Sequence, residues 1–208
     1  MKQNLDHVLY ATSNLEQGMD EIESLLGVRP ARGGHHPQFG THNALLSLGA
    51  GVYLEVIARD PDLPEPEGGA FVDVPDGAQS RLVTWVMQTS DIEQTVAAAR
   101  AADIGIGKIS VGRRENPDGS TVSWQATDPY AMPFDGALPF VINWGKTPHP
   151  SATTPAGGRF EQLLIEHPQA ESVRSGLAVL GLNLEVSEAK EYRLVAKIRT
   201  PDGEVTLA

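Results

Sequence analysis

Residues 7–17 read HVLYATSNLEQ, and residues 84–94 read TWVMQTSDIEQ, 77 positions later. Thr12-Ser13 falls on Thr89-Ser90, and Glu16-Gln17 falls on Glu93-Gln94. A second step of 77 lands on EQLLIEHPQAE at 161–171, and Leu26-Gly27-Val28 then falls on Leu180-Gly181-Leu182. Periodic self-similarity of this kind marks a chain built from repeated supersecondary units.

Each unit opens as a strand and continues as a helix. Val8–Ala11, Leu82–Met87 and Phe160–Ile165 are short, apolar and rich in β-formers. Asn14 and Asp91 are placed to cap the helices that follow, and Pro168 suits a first-turn position. Leu15, Met19, Ile22 and Leu26 recur at helical spacing, as do Val173, Leu177 and Leu180. Gly27 and Gly181 suit the left-handed residue that ends a helix.

Strands come next in every unit. In the first they are Ala44–Leu48 and Val52–Ala58, joined at Gly49-Ala50-Gly51. In the second they are Ile106–Arg113, Thr121–Gln125 and Pro139–Trp144, with a turn at Asn116-Pro117-Asp118-Gly119. In the third they are Leu184–Ser187, Arg193–Thr200 and Glu204–Leu207, with a tight turn at Pro201-Asp202-Gly203. The plan is βα followed by a β meander, three times. It predicts an α+β protein with helices on one face of its sheets. Asp60–Gly77 reads as a surface loop, and 146–158 (KTPHPSATTPAGG) as a linker. Residues 1–148 then hold the paired units, and 159–208 hold an accessory third.

Composition narrows the chemistry. The 208 residues are 40% apolar, enough for a core, and carry a net charge of −11. That balance argues against a nucleic-acid surface, which needs clustered positive charge, and against anionic membrane. Without cysteine there are no disulfides, no thiolate zinc sites and no Cys nucleophile. Asp6, His7 and Glu16 interrupt any apolar run near the start, so no signal peptide is read there and a cytoplasmic location is expected. No GxSxG elbow is present. No GxxxxGK[ST] or GxGxxG opens a helix either, and Gly105-Ile106-Gly107 leads toward a strand.

Tandem βαβββ units with a His on the first strand and a Glu on the last strand of the same unit resemble the vicinal oxygen chelate superfamily, which includes glyoxalase I, extradiol dioxygenases and bleomycin-resistance proteins. The stretches LDHVLYAT (5–12), GTHNALLSLGAGVYLEVIA (40–58), LPFVINWG (138–145) with HPS (149–151), and TPDGEVTL (200–207) are closest to its glyoxalase-like branch. The resemblance implies two modules curled into a mixed sheet around a concave, half-barrel cleft that takes a small molecule. The third, related unit would pad or close it.

Alternate strand residues share a face, so His7 lies with Leu9, and Glu55 with Tyr53 and Ile57. The resemblance turns both faces to the cleft and makes His7 and Glu55 ligands of a divalent metal such as Zn, Mn, Fe or Ni. It implies lyase, isomerase or dioxygenase chemistry, with Glu55 as ligand or base. His42 is either a ligand or general base, or a half-exposed polar residue at a strand start. Asn43, Thr84, Asn143 and Trp144 would shape and orient the substrate, although Trp144 and Trp124 also read as core aromatics. Arg113-Arg114 is either a solvated edge or a clasp for a substrate carboxylate. His35-His36, in a glycine-flanked loop, reads either as solvated or as part of a mobile loop over the cleft, and His149 and His167, each before a proline, as turn residues.

The pattern breaks in the second unit. Thr84 stands where His7 stands in the first, and Val141 or Asn143 stands near the place of Glu55. Neither Thr nor Asn is a strong ligand for a borderline metal. A metal-free binding protein of the bleomycin-resistance type is therefore the competing reading, and an open meander edge makes a homodimer a third possibility.

Overall fold

The computed structural model describes residues 4–116 and 118–208; residues 1–3, and Pro117 of the expected turn, lie outside them. The first unit runs β1 (Leu5–Ala11), α1 (Leu15–Leu26), β2 (Ala31–His36), β3 (Thr41–Ser47) and β4 (Tyr53–Arg59). The second runs β5 (Arg81–Gln88), α2 (Ile92–Ala101), β6 (Ile109–Glu115), β7 (Thr121–Thr127) and β8 (Phe140–Asn143). The third runs β9 (Arg159–His167), α3 (Ala170–Val179), β10 (Glu185–Glu188), β11 (Arg193–Thr200) and β12 (Gly203–Leu207).

Capping chemistry sets the helix starts. The Asn14 side chain accepts the Gln17 N–H at 3.2 Å, and Asp91 accepts that of Gln94 at 3.0 Å. Each such cap contributes about 1 kcal/mol. Gly27, at φ 75°, ends α1 and donates its N–H to the Glu23 carbonyl. The stripe of Leu15, Met19, Ile22 and Leu26 is buried against the sheet, at about 1.5–3 kcal/mol per large apolar side chain. Pro168 precedes α3 rather than occupying its first turn.

The mixed sheet curls until its ends meet. Strand order is β1-β4-β3-β2-β6-β7-β8-β5, a closed barrel, so the expected concave cleft is the barrel's interior, open at its mouth. The two units join along two unequal seams. Antiparallel β1 and β5 share six registered pairs, from Leu5↔Met87 to Ala11↔Arg81. Strands β2 and β6 share one, His35↔Glu115.

Strand β2 was not expected, and it is what allows closure. A Cβ on Gly34 would lie 1.9 Å from the Glu115 carbonyl oxygen, and one on Gly33 would lie 2.1 Å from Asn43 Oδ1. At Gly34 only hydrogen fits against the β6 backbone, so a glycine that helps hide the strand in the sequence also permits the close approach.

The third unit keeps the element order but not the wiring. Its sheet is β10-β9-β11-β12, with β9 between β10 and β11. The expected meander is thus confined to β11 and β12. This sheet shares one apolar core with the helices and the outer faces of β1, β4 and β5. A second, smaller apolar cluster fills the barrel interior, with Leu9, Leu45, Tyr53, Ile57 and Ile142 among its members.

Neither intervening segment is loose. Phe71, Val72 and Val74 of the 60–77 loop pack onto the interior cluster, and the Phe71 N–H bonds the Phe39 carbonyl at 3.1 Å. In 146–158, Pro155 and Gly157 exchange backbone bonds with Ser47. No helix among the described residues is long and apolar enough to cross a membrane.

Candidate functional site

The barrel interior holds a cavity that opens to solvent at one mouth. Its walls combine Phe39, Phe71, Phe140 and Trp124 with a few polar groups: His7, His36, Asn43, Glu55 and Arg114. Apolar walls with a few convergent polar groups are the usual make-up of a small-molecule site.

Strand parity explains which side chains arrive. His7 on β1 and Glu55 on β4 point inward from neighbouring parallel strands, and the His7 Nε2 lies 3.2 Å from a Glu55 carboxylate oxygen. Asn43, from β3, donates to the other Glu55 oxygen at 2.7 Å. Behind them, the His7 Nδ1 bonds Asp6 at 2.6 Å. Asp6 is fully buried, and its second oxygen accepts the Trp144 indole N–H at 2.9 Å and meets His149 Nε2 at 3.1 Å.

The electrostatics follow from that chain of contacts. Burial alone would lower the His7 pKa, but the bonds to Asp6 and Glu55 outweigh it and raise the pKa to about 9. Both ring nitrogens then donate, which fits an imidazolium between two carboxylates. The Tyr53 ring is stacked on it with centroids 4.3 Å apart, a favourable place for a cation. Burial would raise Glu55, yet the His7 bond and charge hold it down at about 2. Burial likewise opposes ionisation of Asp6, and the bonds from His149 and His7 overcome it. His36 has no anion in contact, so burial dominates and lowers its pKa to about 4.

Arg114 stands apart. It is 8% exposed and turned into the cavity from β6, and its Nε donates to Asn116 at 3.2 Å. No carboxylate lies within ion-pairing distance of it among the described residues. Its neighbour Arg113 faces outward.

Of the residues expected here, His7, Glu55, Asn43 and Trp144 line the cavity. Three others do not. Thr84 is buried outside it, with its hydroxyl donated to the Gly136 carbonyl at 3.2 Å. Asn143 sits at the surface, bonded to Ser90 and Gly145. His42 lies on the outer wall, facing Asp60. The sequence reading missed His36 as a cavity residue, because β2 was unseen. It also missed Asp6 as a partner of His7, and His149 as a partner of Asp6.

The cavity does not offer the donor set that the resemblance implied for a metal. His7 and Glu55 are two donors, and the His7 nitrogens are already engaged by Asp6 and Glu55. Borderline metals take three or four protein ligands. Among the described residues one group of three side chains is able to hold a metal ion: His35, His42 and Asp60, outside the barrel.

These features define a closed-barrel relative of the tandem βαβββ proteins. Residues 5–181 match the family described as Glyoxalase-like domain, so the chain belongs to that family, within the vicinal oxygen chelate superfamily. A search of curated proteins finds no match. Among solved structures, a Staphylococcus aureus protein described as hypothetical is similar over 93% of this chain and 88% of its own, at 15% identity and a TM-score of 0.66. Methylmalonyl-CoA epimerase from Mycobacterium tuberculosis is similar over 72% of this chain and 92% of its own, at 17% identity and a TM-score of 0.44. A Streptomyces coelicolor methylmalonyl-CoA epimerase in complex with 2-nitronate-propionyl-CoA covers 68% of this chain and 96% of its own, at 14% identity and a TM-score of 0.44.

Proposed function

We propose that this protein binds a small organic acid in the barrel cavity, without a metal in that cavity. Arg114 receives the carboxylate and the aromatic walls receive an apolar body. The observation that carries this reading is Arg114, a buried guanidinium that opens onto a largely apolar chamber and has no carboxylate paired to it among the described residues. A guanidinium so placed offers two parallel N–H donors to a bidentate acceptor.

The dyad supports binding over acid–base turnover. A general base works best with a pKa near the operating pH. Glu55 is held at about 2, and His7 at about 9, so neither changes charge near neutrality. His36, lowered to about 4, is a neutral imidazole there and presents an acceptor or a donor without charge. The donor set argues in the same direction against metal-assisted lyase, isomerase or dioxygenase chemistry at His7 and Glu55.

Calorimetric titration with matched pairs tests the reading: small aryl or alkyl carboxylates against their neutral amides. Carboxylates should bind the wild type, amides should bind at least tenfold more weakly, and Arg114→Gln should erase the difference. Equal binding of acid and amide, or an unchanged preference in Arg114→Gln, would overturn it.

A further inference from the structure

We propose that His35, His42 and Asp60 form a site for a divalent transition-metal ion, Zn²⁺ or Ni²⁺ in class, on the outer wall of the barrel. The site is independent of the ligand proposed for the interior.

Two neighbouring strands and the residue just past the end of a third build it. His35 on β2 is registered opposite His42 on β3, and His42 is registered opposite Ala58 on β4. Asp60 follows Ala58 by two positions and so returns to the same face. The donor atoms, one from each side chain, all lie within 4.8 Å of one another. The two rings are 6.2 Å apart between centroids and tilted by 33°.

The carboxylate is fixed before any ion arrives. Asp60 is 0% exposed at its side chain, its Oδ1 accepts the Asp62 N–H at 3.1 Å, and its own N–H bonds the Gly40 carbonyl at 2.9 Å. The imidazoles surround it at graded depth, His42 at 16% and His35 at 51% exposure, which leaves a path in from solvent. His35 Nδ1 is in hydrogen-bond contact with one Asp60 oxygen, and His42 Nδ1 is 3.9 Å from the other.

Two imidazoles and one carboxylate suit borderline ions such as zinc, nickel or iron(II). Calcium and magnesium want six or more oxygens, which this group does not supply. Three protein donors also leave coordination positions for water. Asp60 begins the segment that carries Phe71 to the cavity mouth, so a bound ion would tie β2 and β3 to the root of that segment.

The test uses untagged protein stripped with a chelator. Zn²⁺ is titrated by calorimetry, and Co²⁺ by electronic absorption, which reads the ligand field directly. One equivalent should bind. His35→Gln and Asp60→Asn should each weaken binding at least tenfold, and His7→Gln should leave it unchanged. Zn²⁺ should raise the melting temperature of the wild type and not that of His35→Gln, whose half-exposed side chain makes the substitution compatible with folding. Absence of Zn²⁺, Ni²⁺ and Co²⁺ binding at millimolar ion, or binding that survives His35→Gln but not His7→Gln, would overturn the assignment.

Discussion

His35 and His36 are consecutive in β2 and look in opposite directions. His36 lines the cavity and bonds Thr41 at 3.0 Å, whereas His35 turns outward to Asp60. One strand thus serves both sides of the barrel wall, and substitutions at the two positions should have separable effects.

Interior ligand binding should depend on Arg114 by charge and by shape. Replacement with Gln should weaken carboxylate binding by about 1.5–3 kcal/mol, the range for hydrogen bonds to charged groups, or roughly 10–100-fold. Lysine should restore only part of the loss, because it lacks the planar fork. Calorimetry on the three proteins checks both expectations.

Glu55→Gln should bring the His7 pKa down by more than one unit, since one of its two anionic partners disappears while Asp6 remains. Imidazole titration followed by nitrogen-15 NMR reads this directly. The buried pair is broken as well, and stability at neutral pH should fall by about 1–3 kcal/mol. An unmoved His7 titration would mean that Asp6 alone sets it.

Stability should peak at mildly acidic to neutral pH. His7 is raised in the folded state, so its contribution is complete below its unfolded value of 6.5 and is lost as pH rises through about 9. His36 is lowered from 6.5 to about 4, so the unfolded chain takes up the proton first and stability falls as pH drops across that window. The limiting slope is about 1.4 kcal/mol per pH unit. Glu55 adds stability above 4.5 that is lost only as pH falls through about 2. Urea unfolding across pH 4–9 measures the profile. His36→Gln should flatten the limb between 6.5 and 4 and leave the alkaline limb in place.

Gly34→Ala should be the most damaging single methyl in the barrel. The added carbon would sit 1.9 Å from the Glu115 carbonyl, so β2 and β6 must part. A loss of about 2 kcal/mol or more is expected, at the upper end for overpacking. Gly105→Ala, with nothing within 4 Å, is the matched control and should change stability by less than about 0.5 kcal/mol in a urea melt.

The modular plan was legible because it repeats. HVLYATSNLEQ and TWVMQTSDIEQ carry the same capping and apolar spacing, and the strands and helices at both places follow from it. Strand β2 was illegible because ARGGHH has neither alternating apolar residues nor β-formers. It is a strand because neighbours on both sides pair with it. The His7–Glu55 meeting came from period-two reasoning combined with the family resemblance. The same period would have separated other expectations: His42 and Asn43 are adjacent in one strand and cannot share a face, and neither can Asn143 and Trp144. Thr84 escapes even that rule: it is registered opposite the cavity-lining Leu9, yet its hydroxyl is bonded to the Gly136 carbonyl.

The unequal seams give the barrel the mechanics of a bound book. Along the spine, six registered pairs hold β1 to β5; along the fore-edge, one pair joins β2 to β6. His36 and Arg114 come from the two pages that meet at that fore-edge, whereas His7 lies on the spine and Glu55 on the strand beside it. Widening the gap would carry Arg114 away from His36 and Asn43 and leave the ion pair undisturbed.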